Sequence, residues 1–132
     1  MTGEKDLQTI LRFISPCLIN GEYVFCTLPG ARYGDYSELN PIVAIAESEG
    51  LTLIIPRSEA DERGIGYETV FKGITLNVHS SLDAVGLTAA FSDKLAEKGI
   101  SANVVAGYYH DHIFVQGELA EHAIEALNEL AR

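Results

Sequence analysis

The chain has 132 residues, 47% hydrophobic and 21% charged, a composition typical of a single globular domain. Nineteen acidic residues against nine basic ones give a net charge of -10, and a surface this negative repels nucleic-acid phosphates and anionic lipids. No apolar run approaches the roughly 20 residues that span a bilayer, and the N-terminus lacks the order of a signal peptide. We therefore expect a soluble, cytoplasmic protein that binds neither nucleic acid nor membrane.

The two cysteines agree with a reducing compartment. Cys17 and Cys26 form neither a CxxC pair nor a zinc-type quartet with histidine. Cys26 lies in an apolar run, which favours a buried, inert thiol. A disulfide between the two would be unusual in a cytoplasmic protein, so we expect free thiols.

The first half of the chain is predicted to contain a helix, three strands and a second, short helix. The first helix has an apolar stripe and ends before a proline: Leu7, Ile10, Leu11, Ile14, Pro16. The strands are predicted at residues 22–28, 42–47 and 51–55, and the short helix at 58–62 with Ser58 as its N-cap. Gly50 is expected to adopt a positive φ in the turn between the last two strands. Residues 29–41 form a long loop, and such loops are often functional.

The second half is predicted to contain a long strand, a helix, a hairpin and a final helix. The strand covers residues 68–79, with a bend expected at Gly73. The helix covers 87–98, and Gly99 follows it at the position that terminates helices. The hairpin has strands at 101–109 and 112–116 with His110 and Asp111 at its tip, and the last helix begins near Glu118.

The order of elements repeats weakly between the halves. Each half has a strand, a hairpin and a helix, but the 29–41 loop of the first half stands where the second half has the 87–98 helix. Two such halves predict an α+β fold with an antiparallel sheet and helices on one face. We expect two ferredoxin-like halves, residues 1–67 and 68–132, the first of them degenerate, together forming one compact unit.

One group of motifs resembles the ACT family of small-molecule-binding domains. Asp83 precedes Gly86-Leu87 at the start of a helix, and Gly99-Ile100 leads into the next strand. Residues 21–28, 49–53, 75–82 and 104–115 look like a subgroup of short tandem-ACT proteins of unassigned function, so the resemblance covers nearly the whole chain. It implies a βαββ-type ferredoxin-like fold, a regulatory protein that is not an enzyme, no cofactor, an amino acid as ligand, and a homodimer.

A zwitterionic amino acid needs hydrogen-bond donors for its carboxylate and acceptors for its ammonium group. The N–H groups near Gly86 lie at a helix start, where the helix dipole favours an anion, and Asp83 or Asp35 could accept from the ammonium. The candidate ligand-binding residues are His79, Ser80, Ser81, Asp83, Val85, Gly86, Leu87, Asn103 and Val105. In the alternative, structural interpretation, Gly86 eases strand-to-helix packing and Asp83 caps the helix.

The long loop offers further contacts. The residues concerned are Gly30, Arg32, Tyr33 and Asp35. Arg32 could bind a ligand carboxylate and Tyr33 could cover a bound side chain. Equally, the loop could be a surface segment whose aromatic residues pack back for stability.

The histidines invite two other interpretations. His79 and Ser80 are adjacent in a strand and point to opposite faces, which is unsuited to nucleophilic catalysis. His110 and His112 would face the same way on a strand and suggest a metal site, but a solvated hairpin tip explains them without a third ligand, so we predict no metal. Two alternatives to the amino-acid sensor stay open: a protein-interaction module without a metabolite, and, ranked below it, a small metal-dependent enzyme.

Overall fold

The computed structural model describes residues 3, 6–79 and 81–131, which pack as two compact units. The inserted unit is Gly21–Phe71, and the flanking unit combines the residues before it with those after it. The predicted repeats, 1–67 and 68–132, thus have boundaries that differ from those of the packing units, because the described residues before Gly21 pack with those after Phe71. The repeat boundary itself stays a prediction.

The described residues contain four α-helices and seven strands. The helices are α1 (Leu7–Phe13), α2 (Arg57–Arg63), α3 (Leu87–Glu97) and α4 (Ala120–Glu129), with short 3₁₀ turns at Ser37–Leu39 and Gly117–Leu119. The strands are β1 (Pro16–Leu18), β2 (Tyr23–Leu28), β3 (Val43–Glu47), β4 (Gly50–Pro56), β5 (Phe71–Leu76), β6 (Asn103–Ala106) and β7 (Asp111–Gln116).

In the inserted unit, β4 is the central strand of an antiparallel trio. It pairs with β2 on one side and with β3 on the other. Alternate apolar residues on one face form the core with α2 and the long loop: Val24, Cys26, Leu39, Leu51, Leu53, Ile55 and Ala60. The core of this unit therefore lies between one face of the sheet and the layer formed by α2 and the long loop.

In the flanking unit, three helices cover one face of the sheet. β1 pairs antiparallel with β5, β7 follows β5 in the sheet order, and β6 pairs antiparallel with β7. Leu87, Phe91 and Leu95 recur every four residues along α3 and are all buried. They pack with α1, α4 and the strand residues Ile74, Leu76, Ile113 and Val115. The predicted α+β, ferredoxin-like fold with antiparallel strands is confirmed.

The predictions for β5 and for the start of α2 are wrong in detail. The strand predicted at 68–79 is shorter, Phe71–Leu76, and its C-terminal end is set by a tight turn from the N–H of Val78 to the carbonyl of Leu76. Ser58 is not an N-cap, since α2 begins at Arg57 directly after Pro56. The N–H of Arg57 donates to the carbonyl of Glu22 at 2.9 Å, so backbone replaces the expected side-chain cap.

The structure also bears on the predictions about the thiol groups and about membrane-spanning helices. Cys17 is exposed, Cys26 is buried, and both are free thiols, as expected. Burial raises the pKa of the Cys26 thiol, which keeps it protonated and unreactive. Across residues 3, 6–79 and 81–131, every helix is too short or too polar to cross a lipid bilayer.

Candidate functional site

The N-terminus of α3 is built on Gly86. This residue has a φ of +94°, a left-handed conformation that favours glycine, and it occupies the N-cap position. Its carbonyl accepts the first helical hydrogen bond, from the N–H of Ala90 at 2.9 Å. Among the described residues, no side chain caps this end of the helix. The first N–H groups of a helix have no intrahelical partner, so this end offers donors to an anion.

The backbone N–H groups available to an anion at this helix start differ by a few residues from those predicted. Because Gly86 is the N-cap, the helical N–H groups of the first turn belong to Leu87, Thr88 and Ala89, and Val85 precedes the helix. Thr88 and Ala89 were missed by the sequence analysis, which centred the site on the glycine rather than on the turn after it. A methyl group built on Gly86 would lie 3.1 Å from Cδ2 of Leu7, so the position has little room for a side chain.

The segment before α3 exposes both polar and apolar groups. The carboxylate of Asp83 is exposed, and its backbone N–H donates to Oγ of Ser81 at 3.1 Å. Asp83 does not cap α3, so that part of the structural interpretation is wrong. Val85 is 84% exposed and Leu82 63% exposed, unusually high values for aliphatic side chains. Ser80 lies outside the described residues.

Asn103 and Val105 lie on β6, on the face opposite the helices. Their neighbours Ala102 and Val104 pack against the helical core, as the alternation of a strand predicts. The Asn103 side chain donates from Nδ2 to the carbonyl of Phe114 at 3.1 Å. This bond orients the amide across the β6–β7 pair, and the role of Asn103 and Val105 as ligand contacts stays a prediction.

The β6–β7 hairpin turn lies against the end of β5. The turn covers residues 107–110 and is closed by a hydrogen bond from the N–H of Gly107 to the carbonyl of His110 at 2.9 Å. The His79 and Tyr109 rings lie 5.0 Å apart, and Tyr109 is in turn 5.0 Å from the ring of Tyr108. The structure thus joins His79 to an aromatic pair that the sequence analysis had treated separately.

The hairpin tip predicted at His110 and Asp111 lies two residues earlier, at Tyr108 and Tyr109, because Asp111 already begins β7 and pairs with Ala106. His110 and His112 have separate partners, one on β5 and one on the segment that follows β5. Nδ1 of His110 lies 3.4 Å from the carbonyl of Val78, whereas Nδ1 of His112 lies 2.9 Å from Oγ1 of Thr75. Within the part of the chain that the structure describes, no cluster of three or more metal-ligating side chains is present.

Burial shifts the ionisation of both residues at the start of β7. Burial lowers the pKa of His112 below its ordinary value of 6.5, and the nearby His110 lowers it further. Burial raises the pKa of the Asp111 carboxyl, although the adjacent His112 opposes this shift. Both shifts disfavour the charged form of a partly buried group.

We expect the free energy of unfolding to fall as the pH is lowered from about 7.5 to about 5.5. A histidine whose pKa is lower in the folded state binds its proton more readily when unfolded, so acidification through 6.5 favours unfolding. Urea denaturation at several pH values, on wild type and His112→Gln, measures this effect. The variant should lose part of the decrease, and identical pH profiles for the two proteins would contradict the assignment.

The long loop is anchored at its start. The N–H of Arg32 donates to the Asp35 carboxylate and the N–H of Asp35 donates to the carbonyl of Arg32, both at 2.9 Å. Tyr33 is 84% exposed, so its ring does not pack back onto the protein, whereas Tyr36, at 45% exposed, is partly covered. Gly30 has a φ of +77° beside this turn. The role of the loop residues as amino-acid contacts stays a prediction.

A cavity of about 320 Å³ lies beside this loop in the inserted unit. Tyr33 and Asp35 line it, whereas Gly30 and Arg32 do not. Tyr33 and Asp35 are predicted from the sequence as loop contacts, but the cavity is not, because local patterns do not encode the separation between a loop and the strands beneath it.

Comparison with known families covers almost the entire chain. One family model, described as an ACT domain, matches residues 2–72, and a second, also described as an ACT domain, matches residues 70–129. No match was found among curated proteins.

Several solved structures have a similar fold. A Vibrio cholerae protein of unknown function, described as a possible transport protein, is 54% identical, with a TM-score of 0.87 over 97% of this chain and 98% of that one. An Agrobacterium tumefaciens protein is 15% identical, with a TM-score of 0.70 over 89% of each chain. The ligand-free regulatory subunit of aspartate kinase from Thermus thermophilus is 11% identical, with a TM-score of 0.62 over 90% of this chain and 98% of that one.

Proposed function

Because the chain belongs to the ACT domain family, we propose that it is a regulatory protein that binds an amino acid and catalyses no reaction. ACT domains commonly bind small molecules in regulatory roles. The observation that carries the proposal is the start of α3, where a glycine with a φ of +94° precedes a helical turn without a side-chain cap. Such a turn provides several converging N–H donors and the positive end of a helix dipole.

The surroundings of this turn suit the rest of a zwitterion. The exposed Asp83 carboxylate, three residues before Gly86, would accept from the ligand's ammonium group. The exposed side chains of Leu82 and Val85 would cover the ligand's own side chain and lose contact with water on binding. His79 and Ser81, both half-buried, are proposed as further polar contacts.

A homodimer is part of this proposal. In the inserted unit β3 pairs with β4 alone, and in the flanking unit β6 pairs with β7 alone, among the described residues. Each of these edge strands leaves one row of backbone groups available to a second copy. We also propose that the protein acts in the cytoplasm, which its two free thiols support.

A protein-interaction module is the second candidate. The exposed apolar and aromatic residues of the flanking unit favour it: Leu82, Val85, Tyr108 and Tyr109. Large exposed apolar side chains are typical of protein–protein contact surfaces. On this alternative the same surface binds a partner without any metabolite.

A thermal-shift screen with the common amino acids, followed by calorimetry, tests the proposal. A ligand at 100 times its dissociation constant should stabilise the protein by about 2.7 kcal/mol. Gly86→Ala should weaken binding at least about tenfold by misplacing the first turn of α3. Gly99→Ala is the matched control, since Gly99 ends the same helix with a φ of +74° and has open space around it.

The two candidates give different results. Amino-acid binding lost in Gly86→Ala and retained in Gly99→Ala supports the sensor. Stabilisation by no amino acid, or equal weakening by both variants, contradicts it. Capture of one partner protein independent of any amino acid then favours the interaction module.

A further inference from the structure

The sheet of the inserted unit is only partly covered on its core side. α2 has seven residues and is the one α-helix of this unit, which the structure describes throughout. The remaining cover comes from the loop of residues 29–41. All residues of this loop are described, and Leu39 is the one that is fully buried. A single inserted side chain fills less volume than a packed helix, so space remains between the loop and the strands.

That space is the cavity of about 320 Å³. Leu51 and Leu53, each 1% exposed, form its apolar floor, and Ile42 and Ala44 form one wall. Its volume falls at the lower end of the range of about 300–1,000 Å³ that small-molecule sites occupy. Binding of an apolar group in an apolar cavity of this size lowers the free energy, because apolar surface is removed from water.

The loop of residues 29–41, which forms one wall of the cavity, is attached to the rest of the inserted unit. Tyr36 and Asn40 flank the 3₁₀ turn Ser37–Leu39 and have φ values of 63° and 55°. Residues other than glycine rarely adopt this left-handed backbone conformation. The Asn40 side chain also donates from Nδ2 to Oε2 of Glu59 on α2 at 3.1 Å. This hydrogen bond and the burial of Leu39 anchor the loop to α2 and to the core.

The charge at the rim selects among ligands. Asp35 is the one charged residue that lines the cavity, and its carboxylate is oriented by the hydrogen bond from the N–H of Arg32. The Tyr33 ring at the same rim is 84% exposed, and an aromatic face attracts a cation. The rim therefore favours a positive charge above an apolar floor.

We propose that the inserted unit has a second small-molecule site of its own, which binds a compact apolar molecule carrying one cationic group. The apolar part occupies the space over Leu51 and Leu53, and the cationic group contacts the Asp35 carboxylate at the rim. This site involves residues of Gly21–Phe71 alone and does not depend on amino-acid binding at Gly86.

Three probes of similar size and different charge test the proposal: benzylamine, benzyl alcohol and benzoate. Each is titrated into the ¹⁵N-labelled full chain while the amide signals of the residues around the cavity are followed by NMR. Benzylamine should bind about fivefold more tightly than benzyl alcohol, the size of effect that an exposed ion pair provides. Benzoate should bind more weakly than either. Asp35→Asn should abolish the preference for benzylamine.

A matched pair of variants tests the location. Ala44 and Ala46 are both exposed, lie on the same face of β3, and pair with Leu53 and Leu51, but Ala44 alone of the two lines the cavity. Ala44→Phe should weaken benzylamine binding about tenfold by filling the space, and Ala46→Phe should leave it unchanged. The outcome at Gly86 does not enter this comparison, so the two proposals fail separately.

Any of four results would overturn the proposal. They are the absence of shifts around the cavity with all three probes, benzoate binding as tightly as benzylamine, equal effects of Ala44→Phe and Ala46→Phe on binding, and a change in the protein's mass in solution that Ala44→Phe causes and Ala46→Phe does not. The last result would assign this face to a second copy of the chain instead of a small molecule.

Discussion

Phe91→Ala is expected to lower the free energy of unfolding by about 3–5 kcal/mol, the cost of truncating a fully buried phenylalanine. Phe91 is 0% exposed and lies between Leu87 and Leu95 on the apolar face of α3. The variant loses the transfer free energy of the ring and leaves a cavity that the surrounding helices fill only in part. Urea denaturation followed by circular dichroism measures the loss.

The control for this variant is Asp93→Ala on the exposed face of the same helix. It should change the free energy of unfolding by no more than about 0.5 kcal/mol, since surface positions contribute little. A Phe91→Ala protein as stable as the control would show that α3 does not pack on the sheet as described.

Gly50→Ala should destabilise the protein by about 3 kcal/mol, from backbone strain together with steric overlap. Gly50 begins β4 with a φ of +143°, and a methyl group there would lie 2.6 Å from the carbonyl oxygen of Leu28 and 2.8 Å from Cα of Pro29. Both contacts are with backbone, so a side-chain rotation cannot relieve them. The same denaturation experiment measures the effect.

Gly64→Ala separates the two causes. Gly64 also has a positive φ, +68°, but no atom lies within 4 Å of the added methyl group. It should cost about 1 kcal/mol, from strain alone. Equal losses in Gly50→Ala and Gly64→Ala would contradict the close approach of β4 to the end of β2.

Local patterns predicted the elements whose causes are local. The helix α3 follows from apolar residues at helical spacing and from Gly99, which has the expected positive φ after its last turn. The turn before β4 follows from Gly50 in the same way. In both cases the residue that sets the conformation lies within the element or next to it.

Elements that depend on distant partners were missed or displaced. β1 has three residues, too few to show alternation, and it exists because Pro16 and Cys17 pair with Leu76 and Thr75. That pairing also explains why the N-terminal segment packs with the C-terminal part of the chain.

The candidate site shows the same division between local and distant causes. The start of a helix at Gly86-Leu87 was predicted from the sequence motif, and α3 does begin at Leu87. The contact of His79 with Tyr109 could not be predicted in this way, because it depends on how the β6–β7 hairpin meets the end of β5. The cavity of the inserted unit likewise depends on the path of a loop that has no periodic pattern.

The most direct test of amino-acid binding is an NMR titration of the ¹⁵N-labelled full chain with the common amino acids. We expect one of them to shift the amide signals of Leu87, Thr88 and Ala89 more than any others, because these N–H groups bind its carboxylate. Shifts confined to other parts of the chain, or none with any amino acid, would contradict a ligand site at the start of α3.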